Sequence, residues 1–345
     1  MKKLIVILAA IALVGAFTLP AMAADWNFYG SARMATFYTS VDDGVAGTDD
    51  VKDLQWDQQG NSRIGANVKF NDEIGGRFEM SDSFGKRLLY GTYNFGAGQL
   101  LLGQSYTPTV YFYSNSVYDG DGDLLGVGQF YTGRQPMIQL SMAGLKVALV
   151  TQASGAALGT SQEFMLPKIE ASYGFKTDQF FVDVFAGYQT YEEKGTSIGD
   201  EDVDAWVAGL GGGVNFGPVF FKAGVHMSQN QGNYGAYNPA GMPDEAAIIG
   251  GELVDNDGLG YLAVLGFKAS DKLTFEVGYG HEENEQDVSN SEADETDQYY
   301  GNVTYLITPG FFIVPEIGII DYKEDASKAD EGDLFYAGLK WQINF

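Results

Sequence analysis

The final stretch of the chain decides the fold: Gly332-Asp333-Leu334-Phe335-Tyr336-Ala337-Gly338-Leu339-Lys340-Trp341-Gln342-Ile343-Asn344-Phe345. Alternate residues from Phe335 to Phe345 are apolar, and most of the residues between them, such as Lys340, are polar. Successive side chains of a β-strand point to opposite faces, so the pattern predicts a strand with one apolar and one polar face. On this stretch alone, an ordinary amphipathic strand of a soluble sandwich remains an alternative.

The same alternation recurs along the chain in segments of about ten residues, a pattern typical of strands that cross a membrane. In 26–38 it places Phe28 on the outer face and Arg33 on the inner face. Pro315 lies inside one segment and predicts a local irregularity there. Sixteen strands are predicted, at 26–38, 60–70, 75–83, 87–95, 98–106, 135–142, 144–153, 166–176, 179–191, 203–215, 218–230, 258–269, 271–283, 296–307, 310–322 and 333–345.

The joins between these segments alternate between short and long. Every second join is a tight turn, such as Asn71-Asp72-Glu73-Ile74 or Thr308-Pro309. A barrel assembled from one side of a membrane has short turns on that side and long loops on the other. The predicted fold is therefore an all-β transmembrane antiparallel barrel whose last strand pairs with its first. The long joins are 39–59, 107–134, 154–165, 192–202, 231–257, 284–295 and 323–332.

Residues 1–23 are predicted to be a cleavable signal peptide. Lys2 and Lys3 precede an apolar run, and Ala21-Met22-Ala23 is a small-x-small cleavage site. The chain is therefore expected to be exported, with residues 24–345 forming a single barrel domain. No later stretch is apolar enough for a membrane helix, so strands would have to cross the membrane.

The composition excludes several classes of protein. With 46 Asp and Glu against 20 Lys and Arg, the net charge is −26, which is the wrong sign for binding nucleic acid. The absence of cysteine excludes disulfides, thiolate metal sites and a cysteine nucleophile. Glycine is frequent, at 46 residues, as are tyrosine, at 21, and phenylalanine, at 23. That balance is typical of barrels and other all-strand proteins.

Several short motifs carry a family resemblance. They are Asn61-Ser62-Arg63-Ile64-Gly65, Phe95-Gly96, Leu102-Gly103-Gln104-Ser105-Tyr106-Thr107-Pro108 and the terminal Phe345. With them the chain resembles the general outer-membrane porins of Gram-negative bacteria, which are trimeric barrels of sixteen strands. The resemblance implies a water-filled channel in the cell outer membrane, through which small hydrophilic solutes and ions diffuse passively. It implies no reaction and no cofactor. The implied partners are outer-membrane lipid, lipopolysaccharide, the outer-membrane assembly machinery and further copies of the chain in a homotrimer.

The resemblance also implies which residues shape the channel. Loop 3, Thr107–Arg134, would fold into the lumen, and the join at Phe84-Gly85-Lys86 is shorter than the second loop that latches subunits in other members. Gln104 stands where the family usually has an arginine. Trp341 and Phe345 would close the barrel, with Phe345 as the assembly signal. The constriction residues would be Tyr113, Tyr118, Asp119, Asp121 and Asp123, opposite a basic wall of Arg33, Arg63, Arg77 and Arg134.

Other interpretations of single motifs remain open. The run Asp119-Gly120-Asp121-Gly122-Asp123 would be a calcium loop in one of them, although Leu124 and Phe130 stand where an EF-hand needs Gly and Glu. His226 and Ser228 share a strand face and suggest an enzyme, but no third group is evident to orient them. Two alternatives to a general porin are a non-conducting structural or adhesion barrel with working acidic loops, and a channel selective for a sugar or peptide. The track of that selective channel would be Tyr111, Tyr113 and Tyr118.

Overall fold

The computed structural model describes residues 24–42, 51–239, 241–289, 291–323 and 331–345. The predicted signal peptide, residues 1–23, lies outside these ranges, as do parts of the first and last long joins, 43–50 and 324–330. None of the helices in the described ranges is both long enough and apolar enough to cross a membrane.

Antiparallel strands make up nearly all of the regular structure of the described residues. Most strands are hydrogen-bonded to the next strand along the chain, as short connections between alternating segments require. The strands are β1 (Asp25–Val41), β2 (Val51–Gln58), β3 (Arg63–Lys69), β4 (Ile74–Ser81), β5 (Lys86–Asn94), β6 (Gln99–Tyr106), β7 (Arg134–Met142), β8 (Leu145–Val150), β9 (Ser161–Glu163), β10 (Lys168–Lys176), β11 (Phe180–Thr196), β12 (Gly199–Phe216), β13 (Val219–Gln229), β14 (Ala247–Ile249), β15 (Glu252–Val254), β16 (Asn256–Ser270), β17 (Leu273–Gln286), β18 (Asp294–Thr308), β19 (Phe311–Tyr322) and β20 (Asp333–Asn344).

The sheet closes on itself because the last strand pairs with the first. Ser31 to Val41 of β1 lie opposite Asn344 to Leu334 of β20. β2 and β3 both pair with β1 and are two parts of one barrel strand, interrupted at residues 59–62. β9 and β10 are likewise two parts of one barrel strand, since both pair with β11. The predicted closed barrel of 16 antiparallel strands is thus confirmed, with β14 and β15 as a separate hairpin.

Several regions predicted as loops contain strands, and the two longest of these are at 192–202 and 51–58. The sequence predicts a long polar loop at 192–202, but β11 and β12 continue through it, with Thr196 opposite Gly199. Val51–Gln58, predicted to belong to the first long loop, is also a strand. In both places backbone pairing continues beyond the apolar band of the barrel. Because both faces of a strand are polar or exposed there, the alternation that marks a strand is lost.

Pro315 interrupts the pairing between β18 and β19, as the sequence predicts. The pairing of Asn302 with Glu316 is followed by a gap that ends at Ile313. Proline has no N–H to donate, so the ladder lacks a hydrogen bond at this position. Pro315 lies opposite Leu339 of β20, and the pairing on that side of β19 is continuous.

The two faces of β20 separate as its sequence predicts. Trp341, Ile343 and Phe345 are exposed on the outside of the barrel, whereas Tyr336 and Lys340 are buried on the inside. An exposed apolar band on the outer face is stable only in contact with lipid or with another protein. The outer face therefore fits a membrane, and the inner face is free to line a polar lumen.

The edge of the apolar band can be located on β17 and β18. Tyr279 and Tyr299 lie side by side on the outer face, with ring centroids 4.9 Å apart. The next pair on the same face of these strands is His281 with Asp297, whose Nδ1 and Oδ1 atoms lie 2.8 Å apart. Tyrosine rings gather where lipid tails meet water, so this change from rings to charged groups marks the edge of the membrane on this wall.

The barrel wall has a low side and a tall side. β4 to β8 contain 8, 9, 8, 9 and 6 residues in turn. β16, β17 and β18 contain 15, 14 and 15 residues. A strand needs about 9–11 residues to cross a bilayer. The low side therefore reaches no further than the lipid, whereas the tall side extends well beyond it.

Candidate functional site

Loop 3, the segment 107–133 between β6 and β7, folds into the lumen. Its first half packs against the inner wall through aromatic rings. The ring centroids of Tyr113 and Phe181 are 6.0 Å apart, and those of the stacked rings of Tyr118 and Tyr336 are 4.0 Å apart. Tyr113 is only 3% exposed, so it supports the loop and does not face the open lumen. Arg134, predicted as the last residue of the loop, is the first residue of β7.

Four buried glutamates of the inner wall hold loop 3 in place. A loop inside a barrel loses contact with water, and each backbone N–H left without an acceptor costs about 1–3 kcal/mol. Carboxylates satisfy these groups with strong, charge-assisted hydrogen bonds. The contacts run from Thr109 N to Glu170 (3.2 Å), from Asn115 N to Glu276 (2.7 Å), from Val117 N and Tyr118 N to Glu316 (2.8 and 3.0 Å) and from Gly128 N to Glu282 (3.0 Å).

Replacing Glu316 by alanine is expected to loosen loop 3 while leaving the barrel folded. Its carboxylate accepts hydrogen bonds from Ser116 Oγ, Val117 N and Tyr118 N, and each such bond to a charged group contributes about 1.5–3 kcal/mol. Single-channel recordings should show added noise and brief substates, with unchanged heat-modifiable migration on a gel. Glu285→Ala, at an exposed acid of β17, is the matched control and should record like the parent. A quiet Glu316→Ala channel with a single level would contradict the anchoring role.

The tip of loop 3 carries the three predicted aspartates. Asp119, Asp121 and Asp123 have φ angles of 51°, 67° and 53°, a left-handed conformation that aspartate tolerates better than most residues. Asp121 forms ion pairs with Arg33 and with Lys340, whose Nζ lies 2.5 Å from Oδ1. Burial and, next, the Asp121 carboxylate raise the pKa of Asp123 well above its usual range. The tip therefore carries less negative charge than three aspartates suggest.

The aspartates at the tip do not converge on a common point. The described part of the chain contains no group of three or more His, Asp or Glu side chains that could hold a metal ion. The charge of Asp121 is instead balanced by Arg33 and Lys340. The calcium-loop alternative therefore gains no support from the geometry.

Three arginines surround one glutamate on the inner wall of the barrel. Glu79 of β4 is 1% exposed. Its carboxylate lies 2.8 Å from Arg87 Nε, 3.0 Å from Arg77 Nη2 and 3.4 Å from Arg63 Nη1. Tyr29 Oη donates to the same carboxylate at 2.8 Å. A single negative charge thus holds three guanidiniums together, which leaves this patch with a net positive charge.

Arg87 is the channel residue that sequence reasoning misses. Strict alternation places Leu88 inside the barrel and its neighbour Arg87 outside. A register shift after Glu79, in the pairing of β4 with β5, allows both to be buried. The Gln104 amide donates to the carbonyls of Lys86 and Arg87, at 3.2 and 3.1 Å. Arg87 therefore supplies a positive charge beside the position where Gln104 replaces the arginine expected from the resemblance.

A cavity of about 560 Å³ lies between loop 3 and the basic wall. Arg77 is not among its lining residues, because its Nε is turned to Tyr29 Oη at 2.8 Å. Arg134 lines the cavity and donates to Tyr106 Oη at 3.1 Å. The charged lining consists of Arg33, Arg63, Arg87, Arg134, Asp119, Asp121 and Asp123, and the aromatic lining of Tyr106, Phe112, Tyr118, Tyr131, Tyr237 and Tyr322. Arg63, Arg87 and Arg134 thus line a cavity together with the acidic tip inside a closed barrel, whereas Arg33 is paired with Asp121 of that tip.

A barrel of this kind, narrowed by an inward loop between charged walls, is matched by a known protein family. The sequence model of the Gram-negative porins matches residues 9–325. The chain belongs to this family. As a member it forms an outer-membrane channel for small solutes. No curated protein sequence matches the porin closely enough to count as a relative.

Solved structures share the fold of this porin at low sequence identity. The outer membrane channel DcaP of Acinetobacter baumannii is 19% identical, over 93% of this chain and 97% of that chain, with a TM-score of 0.74. The anion-selective porin of Comamonas acidovorans is 12% identical, over 93% of this chain and 100% of that chain, with a TM-score of 0.63. The Salmonella typhi OmpF complex with daunomycin is 14% identical, over 92% of this chain and 97% of that chain, with a TM-score of 0.61.

The porin uses its inward His226 and Ser228 as structural groups. His226 Nε2 lies 3.2 Å from Glu282 Oε1, and Ser228 Oγ donates to Gln231 Oε1 at 2.9 Å. Both side chains are buried, and neither lines the cavity. His281 points to the outer face, where its partner is Asp297. The two histidines therefore stabilise the wall on opposite faces.

Proposed function

We propose that this porin is a passive channel that favours small anions in the cavity between loop 3 and the basic wall. The supporting observation is the balance of charge around the cavity. Burial and, next, the Asp121 carboxylate raise the pKa of Asp123 well above its usual range, which reduces its share of the negative charge. The remaining charged lining is Arg33, Arg63, Arg87 and Arg134 against Asp119 and Asp121. The overall net charge of −26 has the opposite sign, so the preference rests on the local field.

The mechanism is diffusion through a charged sieve. A narrow passage with walls of low dielectric constant focuses the field of its charged groups and raises the local concentration of ions of opposite sign. Conduction also requires that binding be weak enough for release. Glu79 orients Arg63 and Arg87, which lets their charges attract anions. It also cancels part of their charge, which keeps the binding of anions weak. Small anions would pass along the guanidiniums without being trapped.

Ion selectivity tests this proposal. Purified porin in a planar bilayer, under a gradient of potassium chloride, should give a reversal potential of the sign expected for chloride permeation. A reversal potential of the opposite sign would overturn the anion preference. The absence of conductance steps would overturn the channel itself and favour the non-conducting adhesion barrel.

Raising the pH is expected to weaken the anion preference. Because the pKa of Asp123 is raised, its side chain loses its proton at a higher pH than an ordinary aspartate does, and its carboxylate then adds a negative charge to the cavity. The titratable neighbours are Asp121, Lys340, Glu276 and Glu316. The reversal potential should therefore move toward the cation side as the pH rises, and Asp123→Asn should reduce this shift. The same pH dependence in Asp123→Asn and the parent would contradict the assignment.

A sugar- or peptide-selective channel is the second candidate from the sequence. Its proposed track fits the geometry poorly, because Tyr113 is buried and Tyr111 stacks on Phe185 with centroids 5.7 Å apart. Tyr118 lines the cavity. Conductance that saturates with one neutral solute would favour this candidate over an anion-preferring general channel.

We further propose that the porin carries out no reaction. The enzymatic alternative rests on Ser228, whose hydroxyl is committed to Gln231, and on His226, which is held by Glu282. Both side chains are buried, and neither lines the cavity between loop 3 and the basic wall. Lipase activity of the purified porin that is lost in Ser228→Ala would overturn this proposal.

The porin is proposed to assemble as a homotrimer. A Vibrio cholerae OmpT, 15% identical over 94% of this chain, has been solved in a trimer form. The low side of the barrel, β4 to β8, would be the side shielded by neighbouring subunits, since its strands barely cross a bilayer. The tall side would face outer-membrane lipid and lipopolysaccharide. Cross-linking of the detergent-solubilised porin should give a three-subunit band, and a monomer alone would contradict the trimer.

Biogenesis of the porin is proposed to begin with export. Residues 1–23 would be cleaved as a signal peptide, and residues 24–345 would fold as a single barrel domain with the help of the outer-membrane assembly machinery. The apolar run between Lys3 and the small residues at 21–23 supports this processing. The N-terminal residue of the mature chain, read by mass spectrometry, tests the cleavage site, which is expected to precede Ala24.

A further inference from the structure

A second long connection also enters the barrel. Loop 6, residues 230–255 between β13 and β16, corresponds to the long polar join predicted at 231–257. It begins with a helical turn, Gln231–Tyr234, in which Gln231, Asn233 and Tyr234 are buried. Met242 and Ala246 are also buried. Except for Ala240, which lies outside the described residues, the loop can therefore be followed from the inner wall into the lumen.

A network of side-chain amides holds loop 6 in position. Asn230 Nδ2 donates to the Asp204 carbonyl at 2.8 Å. Gln231 Nε2 donates to Glu282 Oε1 at 2.9 Å and to Asn284 Oδ1 at 3.0 Å. The remaining amide contacts are Asn233 Nδ2 to Tyr191 Oη (2.9 Å), Gln189 Nε2 to the Asn233 carbonyl (2.7 Å) and Asn238 Nδ2 to Asp244 Oδ2 (2.6 Å). Hydrogen bonds of this number fix a loop whose backbone would otherwise be mobile.

The middle of loop 6 rests directly on loop 3. Tyr237 N donates to the Tyr131 carbonyl at 2.8 Å. Beneath it lies Gly126, where an added Cβ would stand 2.7 Å from the Tyr237 carbonyl oxygen, and whose φ of +78° also favours glycine. The two inward loops thus touch backbone to backbone, and the position of Tyr237 is set by loop 3.

The ring of Tyr237 projects into the same cavity that the arginines line. Tyr237 is 54% exposed, in contrast to the buried start of the loop. Pro239 of the same loop and Tyr322 of β19 line the cavity beside it. Burial and, next, the carboxylate of Asp119 raise the pKa of Tyr237, so the ring stays uncharged at neutral pH. The wall that loop 6 adds is therefore bulky and neutral.

We propose that loop 6 is the size filter of the channel and that Tyr237 is the residue that sets the largest solute admitted. This filter is separate from the arginine wall. The neutral ring of Tyr237 limits the width of the passage, whereas the arginines select solutes by charge. It acts on neutral solutes and ions alike. The inference rests on the channel function given above, and size and charge selectivity can be measured independently.

Liposome swelling with neutral sugars of increasing size tests the filter. Tyr237→Ala removes the ring at a half-exposed position and should admit larger sugars, so that the swelling rate falls less steeply with solute size. Tyr237→Phe keeps the ring and should retain the steep fall of the parent. An equally steep fall in Tyr237→Ala and the parent would overturn the proposal, provided that heat-modifiable migration shows a folded barrel.

Chemical modification provides a second test that does not depend on enlarging the pore. The chain contains no cysteine, so Tyr237→Cys introduces the only thiol. Methanethiosulfonate reagents of increasing size should then lower the single-channel conductance step by step. Tyr299→Cys, on the outer face, is the matched control and should conduct as before after treatment. Unchanged conductance of modified Tyr237→Cys, with modification verified by mass, would overturn the proposal.

The size filter and the anion preference can be refuted independently of each other. If Tyr237 variants keep the parent sieve while the reversal potential is that of an anion channel, the size filter is wrong and the proposed function stands. If the sieve changes as expected but chloride is not preferred, the assignment of the arginine wall is wrong and the size filter stands.

Discussion

A porin in which Arg63 and Arg87 are both replaced by glutamine is expected to lose its preference for anions. The lining of the cavity would keep Arg33 and Arg134 against the aspartates of the loop tip, so positive charge would no longer exceed negative charge. Clefts lined by charges of one sign commonly have potentials of several kT, and a lining without an excess of positive charge would lack such a potential. The reversal potential under a salt gradient should therefore move close to that of an unselective pore.

The double substitution is designed to leave Glu79 with a partner. Removing every cation around a buried carboxylate would cost about 3–5 kcal/mol. Arg77 Nη2 remains 3.0 Å from Glu79, and Tyr29 Oη still donates to it at 2.8 Å. The barrel should therefore fold, and its heat-modifiable migration provides the check.

The matched control removes two positive charges away from the cavity. Lys176 ends β10 and Lys272 lies in the turn after β16, and both are exposed. Lys176→Gln with Lys272→Gln changes the net charge by the same amount and should keep the reversal potential of the parent. Equal shifts in both double variants would show that overall charge governs selectivity and would refute the local field of Arg63 and Arg87.

Deleting Phe345 is expected to reduce the amount of assembled porin far more than the conductance of the channels that do form. Phe345 N donates to the Gly30 carbonyl at 3.0 Å, and Gly30 N donates to the Phe345 carbonyl at 2.7 Å. These bonds end the seam that closes the barrel, and each contributes about 0.5–1.5 kcal/mol. The ring covers Gly30, where an added Cβ would stand 2.5 Å from it.

The effect on assembly follows from exposure as well as from the seam. Phe345 is 71% exposed on the outer face, so its ring is available to a partner during insertion and does not line the lumen. The amount of heat-modifiable protein in outer-membrane fractions measures assembly. Phe345→Tyr keeps an aromatic ring and should assemble better than the deletion. Normal levels of inserted, conducting porin without Phe345 would refute the assembly role.

The sequence is sufficient to predict the barrel because its signal is local. The alternation in β20, between outward residues such as Trp341 and inward residues such as Lys340, can be read from the chain without knowing what pairs with it. The same holds for tight turns such as Thr308-Pro309. Alternation fails where strands rise above the apolar band, as at 192–202, because the two faces no longer differ in polarity.

The charged and loop contacts of the lumen depend on residues far apart in the chain. Glu316 meets Val117 across a sequence separation of 199 residues, and no local pattern announces that contact. Arg87 escapes prediction for a different reason, since a register shift reverses the face expected from alternation. The sequence of loop 6 contains one weak indication that it folds inward. Its first residues include the uncharged amides Asn230, Gln231 and Asn233, whereas the outer loops of this chain are mostly acidic.

The most direct test of the anion preference is the reversal potential of the purified, unmodified porin in a planar bilayer with different potassium chloride concentrations on the two sides. The positive wall formed by Arg33, Arg63, Arg87 and Arg134 predicts that chloride carries more of the current than potassium. A reversal potential showing that potassium carries most of the current would contradict the anion preference.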